Sequence, residues 1–306
     1  MHAPRVVVFG YGDLGVAALE TLAQLGVAPA AVVVPGNRQN NDVAMVETAA
    51  RARGHRVLTQ PARAAIAPFL DEVRRLKPDL FLVWSYSMIL PQALIDLPRL
   101  GAVNVHGGLL PEYRGGHVMN WALINGETET GVTLHFVDAG IDTGPIIAQR
   151  RFPITPTDDA ASVHRNLMTT GQELLTSSWA AIADGSAPRV PQDESRALYY
   201  PMRSADDGRI DWTQSNVAIG NVVRALVAPW PGAFTTIGGT RLVLRQVSLA
   251  GRSSGAAPGT VVQCDESGIR VAAGRGDVRW LAVEIDSMRV SPTDLRGVGL
   301  VEGTRL

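Results

Sequence analysis

Apolar residues open the chain as one unbroken run, Val6-Val7-Val8-Phe9, and residues 5–9 read as a strand buried on both faces. After Gly10-Tyr11-Gly12-Asp13-Leu14-Gly15 the spacing changes to that of an amphipathic helix, with Ala17, Leu19, Leu22 and Leu25 on one side. The same alternation continues. Strands are predicted at Ala30–Val34, Arg56–Leu58, Leu80–Trp84 and Gly101–His106, and helices at Val43–Arg53, Ala65–Leu76 and around Pro91–Leu97. A Gly- and Pro-rich loop, Gly107–Gly116, leads to a helix over Met119–Ile124, a strand over Gly131–Val137 and a long helix over Ala160–Ile182. Strand and helix taking turns imply a parallel, Rossmann-like sheet. From Gly185 the apolar periodicity fades into a connecting segment, and beyond it only Val217–Leu226 has helical spacing. Short β-type runs at Leu242–Leu249, Gly259–Gln263, Ile269–Ala272 and Val278–Val283 suggest a small OB-like β-barrel. The expected division is 1–185 for an N-terminal α/β domain, 186–204 for a linker and 205–306 for the β domain.

Composition narrows the class. The 306 residues carry 28 Lys plus Arg against 29 Asp plus Glu, with a 46% hydrophobic fraction, which fits a soluble globular protein of about two domains. Cys264 is the only cysteine, so no disulfide framework exists and a small strand residue is expected there. The apolar start is too short for a signal segment or a membrane span, so a cytoplasmic location with no membrane partner is expected. Of the 28 basic residues only Lys77 is a lysine, and no basic run gathers into a stripe for phosphates. On that ground a nucleic-acid partner is disfavoured. No metal is expected, because no H-E-x-x-H, EF-hand or clustered Cys/His pattern occurs.

Two motifs sit where chemistry is expected. Gly10, Gly12 and Gly15 match G-x-G-x-x-G after a first strand, the position of a dinucleotide site. The second strand, however, ends in Val34-Pro35-Gly36-Asn37 without an acidic residue for a ribose, so a tight turn is the preferred reading over a nicotinamide-dependent oxidoreductase. The stronger set is Asn104-Val105-His106 with Asp142. Residues i and i+2 of a strand share a face, so an amide and an imidazole converge beyond the carboxyl end of the sheet. An imidazole can move a proton at neutral pH, an amide can donate to an oxyanion, and a facing carboxylate would fix the imidazole tautomer and stabilise the imidazolium. Spacing alone leaves a satisfied polar cluster equally open.

The run Asn104-Val105-His106-Gly107-Gly108-Leu109-Leu110-Pro111-Glu112-Tyr113-Arg114-Gly115 closely resembles the signature of the 10-formyltetrahydrofolate-dependent formyltransferases. Asn120-Trp121, Asn125 to Thr133 and Asp142-Thr143-Gly144 continue the match in order. The resemblance implies that Asn104, His106 and Asp142 are the catalytic residues, with His106 as general acid/base and Asn104 as oxyanion stabiliser. It implies that the co-substrate 10-formyltetrahydrofolate lies against Met88-Ile89-Leu90 and against Asp138, Ala139, Gly140, Ile141 and Asp142. Tyr113, Arg114 and Trp230 are expected to bind the acceptor.

The acceptor is a separate question. Asp206-Asp207-Gly208-Arg209-Ile210-Asp211-Trp212, Pro229-Trp230-Pro231-Gly232-Ala233-Phe234 and the terminal Gly299–Leu306 look like the formyltransferase part of the bifunctional polymyxin-resistance proteins. That resemblance, with a pI near 6.6, favours a nucleotide-linked amino sugar, UDP-4-amino-4-deoxy-L-arabinose of lipid A modification. Methionyl-tRNA and a small amine such as N5-hydroxyornithine are the alternatives. Gly108 stands where the family usually has Ser, and Gly116, followed by His117, stands where the polymyxin-resistance branch has Arg.

Overall fold

The computed structural model describes residues 3–251 and 253–306. Its elements begin with β1 (Val6–Gly10), α1 (Gly12–Gln24), β2 (Ala31–Pro35), α2 (Asn41–Ala52), β3 (Val57–Gln60), α3 (Ile66–Arg75), β4 (Leu80–Trp84), α4 (Gln92–Ile95) and β5 (Ala102–His106). They continue with β6 (Arg114–Gly115), α5 (Val118–Asn125), β7 (Glu129–Phe136), β8 (Ile146–Pro153), α6 (Ala160–Asp184) and β9 (Tyr199–Tyr200). The last are α7 (Asn216–Ala225), β10 (Ala233–Ile237), β11 (Thr240–Ala250), β12 (Val261–Asp265), β13 (Gly268–Ala272), β14 (Asp277–Ile285), β15 (Met288–Arg289) and α8 (Pro292–Gly297). Two compact units result. The first runs to Gly115 and takes in Thr130–Phe152 and Arg165–Tyr200; the second is Gly116–Glu129, Pro153–His164 and Pro201–Leu306.

The first unit is built on a seven-stranded sheet of order β3-β2-β1-β4-β5-β7-β8. Strands β1, β2 and β4 are buried along their whole length, as their unbroken apolar runs require. The strand order turns back at the β1/β4 junction, and in open α/β sheets such a reversal leaves a crevice outside the carboxyl ends of the strands. Gly10 and Gly15 answer to packing. A Cβ on Gly15 would lie 2.9 Å from the Gly10 carbonyl carbon and from a Val46 methyl, so the start of α1 can rest on the end of β1 only without side chains there.

The five strands β3 to β5 in that order are mutually parallel, as expected. β7 departs from the pattern and runs antiparallel to β5. The connection between them carries α5, which belongs to the second unit, so no crossover helix of this unit returns the chain to the same end of the sheet. Strand β8 has no counterpart in the predicted elements. Its Gln149, Arg150 and Arg151 are exposed, and an edge strand with one wet side carries too weak an alternation to read.

The second unit holds a six-stranded antiparallel sheet of order β10-β11-β14-β13-β12, with β15 paired to β14. Leu242, Leu244, Val278, Trp280 and Val271 fill its core. Ser215 caps α7 by accepting the Ala218 N–H. Cys264 is buried on β12, where its thiol donates to the Leu300 carbonyl, the structural role expected of it. Among the described residues no helix is long and apolar enough to cross a membrane.

Candidate active site

Strand β5 presents Val103 and Val105 to the core and turns Asn104 and His106 to the opposite face. The antiparallel register sets His135 of β7 directly across from Asn104, and Thr133 across from His106. Directly opposed residues share a face, so four polar side chains gather where the sheet edge meets the 107–116 loop. Thr133 pins that loop: its hydroxyl donates to the Gly108 carbonyl at 2.7 Å and accepts the Leu110 N–H at 3.2 Å. Gln149 of β8 donates to the Leu110 carbonyl and to the Thr133 hydroxyl.

The pinned loop fixes the His106 imidazole. His106 is 7% exposed, and its Nε2 lies 2.6 Å from the Tyr113 carbonyl oxygen, which can only accept, so Nε2 carries the proton. The atom left with an open lone pair is Nδ1. Facing it at 3.6 Å is Oδ1 of Asp142, within ion-pair reach and longer than a hydrogen bond. Asp142 sits in the left-handed region, with φ of 55°. Its Oδ2 accepts the Gly115 N–H at 2.9 Å, and its carbonyl accepts from Gln192 Nε2 at 2.8 Å.

Arg114 is wholly buried, and its five N–H groups are all engaged between 2.7 and 3.0 Å, on Gln192 Oε1, both Glu194 carboxylate oxygens and the Tyr199 hydroxyl. The expectation that it binds the acceptor is therefore corrected. The guanidinium has no donor left for a substrate; it holds Gln192, which in turn holds the Asp142 and Gly144 carbonyls. Gln192 and Glu194 fall within the segment read from sequence as a connection. Only their side-chain contacts reveal this bracket, and no sequence signal marks it. Tyr113 is likewise turned inward, stacked on Tyr200 with ring centroids 4.9 Å apart.

Gly115 couples these parts, since it pairs in β6 with Tyr200 and donates its N–H to Asp142. Its φ is 103°, and a Cβ there would lie 2.2 Å from the Tyr200 carbonyl oxygen. Gly115→Ala is expected to displace the N–H that holds Asp142 and to lower kcat about tenfold or more, with the substrate KM values little changed. Steady-state kinetics on the purified variant check this, and unchanged kcat would remove Gly115 from the support of Asp142.

Two loops flank the site in the first unit. Met88, Ile89 and Leu90 follow β4; Met88 is partly buried, Leu90 is buried, and Ile89 is 79% exposed. The loop Asp138–Asp142 follows β7, with Ala139 and Gly140 exposed and Ile141 57% exposed. Asp138 accepts from the Gly140 N–H and the Thr143 hydroxyl, which shapes the turn. Exposed isoleucines on the loops that follow β4 and β7 suit a flat, partly apolar ligand held by backbone groups.

Within the second unit, the His117 ring meets the Trp230 ring edge to face at 4.5 Å, and His117 Nδ1 accepts the Arg203 N–H at 3.0 Å. A Cβ on Gly116 would lie 2.2 Å from Met202 Sδ, so the room that the missing side chain leaves is filled by Met202.

His135, on β7, stands beside these residues. Its Nδ1 lies 2.8 Å from the Phe136 carbonyl oxygen, its Nε2 3.0 Å from Asn104 Nδ2 and 3.6 Å from Asp142 Oδ1. Burial, followed by the neighbouring charge of His106, pushes it down to about 4. His106, His135 and Asp142 bring one nitrogen or oxygen donor each within 4.8 Å of one another, the one such group among the described residues. A cation there would compete with the Asn104 amide for the His135 lone pair, so the set serves proton and oxyanion chemistry better than ligation.

Comparison with known proteins bears on the whole chain. Residues 5–178 match the family model "Formyl transferase", and residues 203–294 match "Formyl transferase, C-terminal domain". A methionyl-tRNA formyltransferase from Geobacter sulfurreducens is 37% identical over 100% of this chain and 98% of its own length. Another, from Myxococcus xanthus, is 37% identical over 100% of this chain and 97% of its own. Among solved structures, an N-formyltransferase from Helicobacter canadensis, in complex with folinic acid and dTDP-3-aminofucose, matches with a TM-score of 0.70 and 21% identity over 90% of this chain and 98% of that one. At that identity the likeness speaks for the fold.

Proposed function

Because the chain belongs to the formyl transferase family, we propose that it carries a formyl group from 10-formyltetrahydrofolate to the amine of methionyl-tRNA. The observation that carries the acceptor is the 37% identity, end to end, to methionyl-tRNA formyltransferases. It overturns the ranking that put a nucleotide-linked amino sugar of lipid A modification first and disfavoured a nucleic-acid partner, and it favours the methionyl-tRNA alternative. The charge argument failed for a physical reason. Net charge sums over the whole surface, whereas an acceptor end needs only a few phosphate contacts, and arginine supplies these in bidentate form without any lysine. A charged tRNA as acceptor is consistent with the expected cytoplasmic location.

Asn104, His106 and Asp142 are the proposed catalytic residues. The acceptor nitrogen attacks the formyl carbon, forming the new C–N bond, while an Asn104 N–H donates to the oxygen as it gains charge. His106 takes the ammonium proton at Nδ1, where Asp142 Oδ1 stabilises the cation, and returns a proton as the bond to the folate nitrogen breaks. Met88 to Leu90 and Asp138 to Asp142 hold the folate. Catalysis and folate binding are assigned to 1–185, and acceptor contacts to 205–306, Trp230 included, with 186–204 between them.

Incubating the purified protein with 10-formyltetrahydrofolate and charged initiator methionyl-tRNA is expected to yield formylmethionyl-tRNA. UDP- and dTDP-linked amino sugars under the same conditions are expected to remain unmodified. Product from a sugar alone would reverse the assignment.

A further inference from the structure

We propose that His135 is a positioning residue of the formyl-transfer site: an uncharged imidazole whose Nε2 accepts one N–H of the Asn104 amide and so aims the other at the reacting oxygen. The inference deepens the reading given above and rests on it.

The tautomer follows from the neighbours. A carbonyl oxygen accepts and never donates, so the 2.8 Å contact with Phe136 O puts the proton of His135 on Nδ1. In a neutral ring Nε2 is then a bare lone pair. The ring is 2% exposed, and burial among neighbours that include the His106 ring at 6.0 Å keeps it neutral. A neutral ring with that tautomer can accept only from the nitrogen of Asn104, which is the atom lying 3.0 Å away. The amide orientation is thereby decided by chemistry.

The consequence falls on Asn104. Its side chain makes no other hydrogen bond among the described residues, so the second N–H of Nδ2 is left for a ligand. A protonated His135 would donate from Nε2 instead, turning the amide over to present its oxygen and drawing on Asp142 Oδ1, 3.6 Å away. Either change would put a lone pair where the oxyanion forms, or take charge from His106. The cross-strand register of β5 and β7, which sets Asn104 opposite His135, is thus what gives the oxyanion donor its direction.

Two measurements decide the matter. In nitrogen NMR of the labelled wild-type protein at neutral pH, His135 is expected to show a protonated Nδ1 and a bare Nε2; a proton on Nε2 overturns the proposal. In formylation kinetics, His135→Ala is expected to lower kcat about ten- to a hundredfold with both KM values within about threefold of wild type. His135→Gln, whose carbonyl can accept the same N–H, is expected to recover most of that loss. Because His135 acts through Asn104, the double variant with Asn104→Ala should be no slower than Asn104→Ala alone. Independent, additive losses, or a kcat for His135→Ala within twofold of wild type, would overturn it. If the wild type fails to formylate methionyl-tRNA, the functional reading falls, and the nitrogen spectrum still judges His135.

Discussion

His106→Ala is expected to lower kcat for formyl transfer about 10²- to 10⁴-fold, a barrier increase of roughly 3 to 5.5 kcal/mol. The effect is large because His106 is held twice over. Tyr113 fixes Nε2 and Asp142 faces Nδ1, so the ring offers a lone pair in a set direction, and water at that position would have neither constraint. The 3.6 Å gap to Asp142 needs to close to ~2.8 Å when the imidazolium forms, a tightening usual on going from free to occupied sites. Stability should change little more than a buried side chain of this size demands. Kinetics with a urea melt separate the two, and near-normal turnover in the variant would sink the assignment of His106 as the proton carrier.

Arg114→Ala has the largest expected effect on stability. The change removes a wholly buried guanidinium and five hydrogen bonds, and leaves Gln192 Oε1 and the Tyr199 hydroxyl without their partner. Breaking a buried ion pair by removing one member costs about 3 to 5 kcal/mol. Glu194 is 69% exposed and regains water, so a loss of about 2 to 3 kcal/mol is expected for the first unit, read as a lowered urea midpoint. Activity should fall as well, because Gln192 would no longer hold the Asp142 carbonyl. Arg114→Lys should restore little: one ammonium cannot reach Gln192, Glu194 and Tyr199 together. A variant as stable as wild type would show that the bracket is ornamental to the fold.

Fully buried elements were the legible ones. Leu80–Trp84 is a strand with the same ends in sequence and structure, since five apolar residues in a row leave no other accommodation. Residues that owe their place to a partner strand were not legible. β10 and β8 are short or half-wet, and β7 reads as a strand without revealing its direction. That direction is what brings His135 to Asn104, a pairing that the order of residues along the chain does not show. Asn104 and His106 could be picked out by residue type and i, i+2 spacing, while Asp142 was tied to them through the family resemblance; the structure brings Asp142 to within 3.6 Å of His106. Arg114 was visible as part of the same signature but with the wrong task, as a motif cannot distinguish a contact to substrate from a contact to Gln192.

The interleaving of the two units bears on how the chain is made. Emerging from the ribosome, the chain has supplied every residue of the first unit once Tyr200 is out, while 116–129 and 153–164 still lack Pro201–Leu306. At synthesis rates of about 5 to 20 residues per second, the last hundred or so residues take roughly 5 to 20 seconds. Through that interval Val118, Met119, Ala122 and Leu123 of α5, which end up buried, have no finished core to enter. The apolar residues of α5 therefore wait seconds for the segment whose core they share. By the same weave, exchanging the C-terminal segment alone would leave 116–129 and 153–164 without the residues they cluster with.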